Sequence, residues 1–152
     1  MEMIEPLWSF AADWKVRILV LAAIANMALA VRLYTVMSSS RMKAAKEGRV
    51  TTETYKATQN EPEDVAVFNR AVSNQFESPV LFYAVLALGL ALGVSSWLTV
   101  VLAVIYVVLR YMHANEMIGE HNVLRRRKLF IYGFQALIVM MLELAVSTLL
   151  WA

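Results

Sequence analysis

Apolar residues gather into four long runs, at about 16 to 37, 72 to 93, 96 to 113 and 129 to 151. Each run approaches the roughly 20 residues that a helix needs to cross about 30 Å of hydrocarbon. The third is the shortest and is expected to continue past His113. Polar connections at 38–71 and 114–128, with a tight "VSS" turn before the third run, make successive helices antiparallel neighbours. The expected fold is an all-α membrane protein, a four-transmembrane-helix up-down bundle forming one integral membrane domain over 1–152. No internal repeat or low-complexity tract points to a second domain.

Composition strengthens this picture. Of the 152 residues, 60% are hydrophobic and 17% charged, a balance outside the usual range of a soluble domain. The opening "MEMIEPLWSFAAD" starts acidic and lacks a long apolar core, so it reads as a mature amino terminus rather than a secretory signal. The net charge of +2 is too small to suggest a nucleic-acid partner. Basic residues instead sort by side: Arg41, Lys43, Lys46, Arg49, Lys56 and Arg70 in one long connection, "RRRK" in the other, and only Lys15 in the opening segment. Ten against one predicts both connections in the cytoplasm and both termini outside. Trp8, Trp14, Trp97 and Trp151 fall at the predicted outer ends, where amphipathic rings favour the headgroup layer.

Polar residues inside the runs are costly and mark function or packing. Glu143 and Asn26 lie at similar depths, roughly 12 and 15 Å below the outer surface at 1.5 Å per residue, which suits a hydrogen bond between the first and fourth helices or a relay. Arg70, Asn74 and Glu77 stand at i, i+4 and i+7, within about 60° of a helix circumference. Pro79 follows and is expected to kink the helix. Glu77 and Arg110 share a depth at which they could pair. Arg110, His113, Met117 and His121 share one face if the third helix persists through Gly119. Together with Arg125, Arg126, Arg127 and Lys128, these arginines predict a cationic pocket at the inner boundary, with Asn74 and Glu77 as its neutral and anionic members. Such a pocket suits a ligand bearing both amine and carboxylate groups, while a lipid-phosphate role accounts for "RRRK" alone. His113, Glu116 and Glu120 show no firm metal spacing, so no metal site is expected. Without cysteine, any sulfur chemistry must use a thiol brought in as substrate.

The pieces "RAVSNQFESP", "RYMH" and "NVLRR" resemble the MAPEG family, the membrane-associated proteins in eicosanoid and glutathione metabolism that include microsomal glutathione transferases and prostaglandin E synthase. The resemblance runs over the four-span layout from about Arg32 onward. It implies a homotrimer that binds glutathione between subunits in a cavity open to the cytoplasm, as a transferase or peroxidase acting on a lipophilic substrate in an inner or ER-type membrane. By the same resemblance Arg70, Asn74 and Glu77 hold glutathione, and Arg126 stabilises its thiolate, with Arg125 and Arg127 as adjacent alternatives. Arg110, Tyr111, His113, Asn122 and Arg41 are the further residues it marks for cosubstrate binding. Met117 occupies the place where eukaryotic relatives often carry a tyrosine. Two other readings stay open: a non-enzymatic four-helix scaffold or lipid-binding protein, and a small proton-coupled exporter using Glu143 or Glu77.

Overall fold

The computed structural model describes residues 13–57, 60–119 and 122–150. Trp8, Trp151, Glu120 and His121 lie outside these residues. The first apolar run is the core of a longer helix, α1 (Trp14–Lys46). Asp13 caps its start, its side chain accepting from the main-chain N of Lys15 at 2.8 Å. At 1.5 Å per residue, 33 residues reach about 50 Å, well past a bilayer core, so the last turns project beyond it. The connection expected at 38–71 is thus largely helical. It contains the end of α1, α2 (Thr52–Ala57) and most of α3 (Glu63–Ser73), closed over a small cluster of Ala44, Val50 and Val65.

The second run does not form one continuous span. After α3 comes a single 3-10 turn (Asn74–Phe76), and α4 (Ser78–Ala91) begins only after Glu77, whose φ and ψ of −97° and −103° are not helical. Proline lacks an amide hydrogen and its ring crowds the preceding turn, so Pro79 suits the first turn of a helix better than its interior. The expected kink is a full break. The turn after α4 uses Gly93 at φ +69°, a left-handed conformation that costs an L side chain about 1 kcal/mol or more. Next come α5 (Trp97–Ile118), which runs past His113 as expected, and α6 (Val123–Leu150), which takes "RRRK" into its first turns. Three helices, α1, α5 and α6, are long and apolar enough to cross a membrane. The fourth leg of the bundle is the α3–α4 pair.

Polar contacts fix the directions of the legs. At one end Lys15 Nζ donates to the main-chain O of Ser95 at 3.1 Å, joining the start of α1 to the turn before α5. At the other, Arg32 donates to Asn115 Oδ1 at 2.9 Å. So α1 and α5 run parallel, with α4 and α6 antiparallel to both. The core stacks Phe82 on Tyr106 with ring centroids 4.5 Å apart, beside Leu19, Leu86 and Leu137. Many large apolar side chains face outward, including Leu21, Val31, Leu88 and Val101, as the exterior of a lipid-embedded bundle requires. Trp14 and Trp97 are exposed together at the end that carries Lys15.

Glu143 and Asn26 do not bond to each other. Asn26 donates to Tyr83 Oη at 2.9 Å, while Glu143 accepts from Ser96 Oγ and from Thr99 Oγ1, the latter at 2.7 Å. They lie at different levels of the bundle: the Tyr111 hydroxyl of α5 meets the carbonyl of Ala25 beside Asn26, whereas Glu143 sits at the start of α5. Glu143 thereby ties α6 to the capping residues of α5. Glu143→Gln, which keeps an acceptor, is expected to unfold in detergent within about 1 kcal/mol of wild type, whereas Glu143→Leu loses about 1–3 kcal/mol. Equal stability of Glu143→Leu and wild type would show that the contact holds nothing.

Candidate functional site

At the end of the bundle opposite Trp14, α3, the 3-10 turn, α5 and α6 enclose a cavity of about 590 Å³. It is lined by Arg70, Ser73, Asn74, Glu77, His113, Met117, Val123, Arg126, Arg127 and Phe130. Its charged side chains are three guanidinium groups and one carboxylate. The volume lies within the usual range of small-molecule sites, and the charge balance favours an anionic ligand that also carries an amine.

The helical spacing brings Arg70 and Asn74 to one wall, and the break after Phe76 sets Glu77 at the mouth. Arg70 pairs with Glu63 on the exposed surface of α3. A surface pair of this kind is worth about 0–1 kcal/mol. Asn74 Nδ2 donates to the main-chain O of Arg70 at 2.9 Å and contacts Met117 Sδ at 3.4 Å. Met117 is largely buried and packs against Asn74 where it borders the cavity. His113 is also buried and lies against Phe130, ring centroids 5.9 Å apart, and Phe130 stacks in turn on Phe134. Of these rings His113 and Phe130 line the cavity, with Phe134 behind Phe130.

Arg110 stands behind this wall instead of in it. It is 2% exposed, and its Nη2 donates to the main-chain O of Asn74 at 2.8 Å. It therefore binds the broken backbone and does not form the ion pair with Glu77 that their similar depth suggested. Tyr111 and Arg41 do not line the cavity either. Tyr111 Oη donates to the main-chain O of Ala25 at 2.8 Å, joining α5 to α1. Arg41 Nε pairs with Glu61 Oε1 at 2.8 Å and its guanidinium lies 5.3 Å from the centre of the Tyr55 ring. Asn122 caps α6: its Oδ1 accepts from the main-chain N of Arg125 at 3.0 Å.

Three arginines in succession point in directions about 100° apart on a helix. Arg126 and Arg127 line the cavity, while Arg125 borders a neighbouring hollow with Met112, Asn115, Glu116 and Gly119. The sequence pattern did not single out Glu116 as a partner for this arginine cluster. Its carboxylate is buried, with Oε1 accepting from the main-chain N of Asn122 at 3.2 Å and Oε2 3.4 Å from Arg125 Nε. The available signal was one of two acidic residues between His113 and Arg125, three positions after the histidine and nine before the arginine.

An antiparallel helical bundle with a lipid-facing exterior and a cationic cavity at one end defines an integral membrane protein of the helical-bundle class. The chain belongs to the MAPEG family, whose family model matches residues 18–146. This places it among the membrane proteins of eicosanoid and glutathione metabolism. No curated protein and no solved structure matches it. The Tyr111 contact gives a local test of the geometry. Tyr111→Phe is expected to lose about 0.5–1.5 kcal/mol of unfolding free energy in detergent, as removal of one hydrogen bond should; unchanged stability would mean that the hydroxyl does not hold α1.

Proposed function

We propose that the protein is a glutathione-dependent transferase or peroxidase that acts on lipophilic electrophiles from the bilayer. The observation that carries this reading is the meeting of Arg70, Asn74 and Glu77 from one leg with Arg126 from another around a single cavity. The tripeptide presents two carboxylates, an ammonium and a thiol. Arg70 and Arg127 suit the carboxylates, Glu77 the ammonium, and Asn74 a peptide group.

A free thiol titrates near pH 8.5, and a neighbouring guanidinium favours the thiolate, so Arg126 raises the reactive fraction at neutral pH. In conjugation the thiolate sulfur forms a bond to an electrophilic carbon as the leaving group departs with its electron pair. In the peroxidase reaction the thiolate attacks the hydroperoxide oxygen and the O–O bond breaks. A second glutathione thiol then completes a disulfide, with alcohol and water as the other products. Catalysis rests on nucleophile activation and positioning, because the chain has no cysteine of its own. His113 and Phe130 face this chemistry from α5 and α6, and Arg110 acts behind it through Asn74.

The same reading places the cavity end in the cytoplasm, following the distribution of basic residues. It also assembles three copies, so that a neighbouring subunit completes the open side of each cavity. Arg126→Leu is expected to lower conjugation of glutathione to an aryl halide by about 10²–10³-fold in purified protein, the usual cost of losing one group that stabilises a reacting anion. Equal rates would remove Arg126 from the mechanism. Arg70→Ala is expected to weaken equilibrium binding of glutathione by about tenfold, consistent with loss of a charged hydrogen bond; unaltered binding would move the tripeptide off this wall.

A further inference from the structure

We infer that Glu116 is a positioning residue that holds Arg125 out of the cavity and so turns Arg126 and Arg127 into it, by clamping the first turn of α6 to the end of α5. The inference rests on the functional reading above for its consequence, and on geometry for its premise. Glu116 occupies the last turn of α5 and is 7% exposed. A carboxylate at such burial is stable only with donors around it, and the two found among the described residues both belong to the segment that starts α6. Oε1 takes the main-chain N–H of Asn122, and Oε2 faces Arg125 Nε.

Asn122 passes the constraint on. Its side chain accepts from Arg125 N at 3.0 Å and its main-chain O accepts from Arg126 N at 2.9 Å. One buried carboxylate thus fixes the cap, the first hydrogen bonds and the rotation of α6. With Arg125 drawn toward Glu116, the next two positions turn toward Arg70 and Asn74. The connection that would otherwise carry this constraint is short, and it starts at Gly119, where a Cβ would stand 2.9 Å from the main-chain O of Asn115. Without the Glu116 clamp the first turn of α6 would be free to fray, as uncapped helix ends do.

Two measurements test this, one of which needs no glutathione. The first is the ultraviolet absorbance of the thiolate of bound glutathione, titrated against pH, beside calorimetric binding. Glu116→Ala is expected to lower the bound thiolate fraction about tenfold at neutral pH, as a displaced guanidinium would, while affinity for glutathione falls by no more than about tenfold, the loss of the one carboxylate contact at Arg127, because Arg70 and Asn74 remain. Glu116→Gln, which keeps an acceptor for Asn122, is expected to recover part of the loss. The second uses the absence of native cysteine: Arg126→Cys carries a single thiol, whose reaction with a water-soluble maleimide should speed up several-fold when Glu116→Ala is added and α6 frays. If Glu116→Ala does not fold, Glu116→Gln is read by the same two criteria. Unchanged thiolate titration together with unchanged labelling overturns the assignment. If the wild-type protein binds no glutathione, the functional reading fails by itself, and the labelling pair alone decides whether Glu116 positions Arg126.

Discussion

A main-chain carbonyl held by a buried guanidinium is the contact on which the rest of the structure depends. Within a bilayer, backbone polar groups must be satisfied inside the protein, which is why membrane spans are usually unbroken helices. Here the second leg is broken between Ser73 and Ser78. Arg110 reaches from α5 to the carbonyl of Asn74, at the start of that break. The irregular backbone is tolerated because it is bound by a neighbouring helix and borders a polar cavity, not lipid. Burying Arg110 is expensive, and the cost is offset only in part by this bond, since Nε and Nη1 have no hydrogen-bond partner among the described residues.

From this contact the site follows. The break turns the 3-10 segment so that Asn74 and Glu77 border the same space as Arg70, although they no longer share one helix. On the facing side α6 begins early enough, at Val123, to carry its arginines in helical first turns rather than a loose loop. Helices place side chains with less freedom than loops, and an anion-stabilising group is effective only when held in position before the ligand arrives. Asn74 links the two halves, its carbonyl bound to Arg110 and its side chain to Met117 of α5.

Hydropathy and residue spacing made much of this legible. Apolar run lengths marked the four legs, and the i, i+4, i+7 spacing of Arg70, Asn74 and Glu77 marked one wall of the cavity. Relative depth was not legible, because it was counted from the ends of apolar runs and not from where the helices meet. Asn26 meets Tyr83 near the level of Tyr111, whereas Glu143 meets Ser96 and Thr99 at the start of α5. Tyr111 and Arg41 were marked by resemblance but are engaged with Ala25 and Glu61. The connections were misjudged for a related reason. Charged residues lower hydropathy without lowering helix propensity, so α1 continues through Lys46 and α6 starts before "RRRK". Glu116 was weighed only as a metal ligand, because its partners Asn122 and Arg125 belong to the next helix and nothing in the spacing marks that pairing.

The central claim is that guanidinium groups from separate legs of a membrane bundle hold an anionic thiol peptide and favour its thiolate. Calorimetric titration of glutathione into the wild-type protein at neutral pH, repeated in buffers of different ionisation enthalpy, tests it most directly. The account predicts saturable binding with net release of a proton, and loss of that release when S-methylglutathione replaces the thiol. Binding without proton release, or no saturable heat at all, would contradict it.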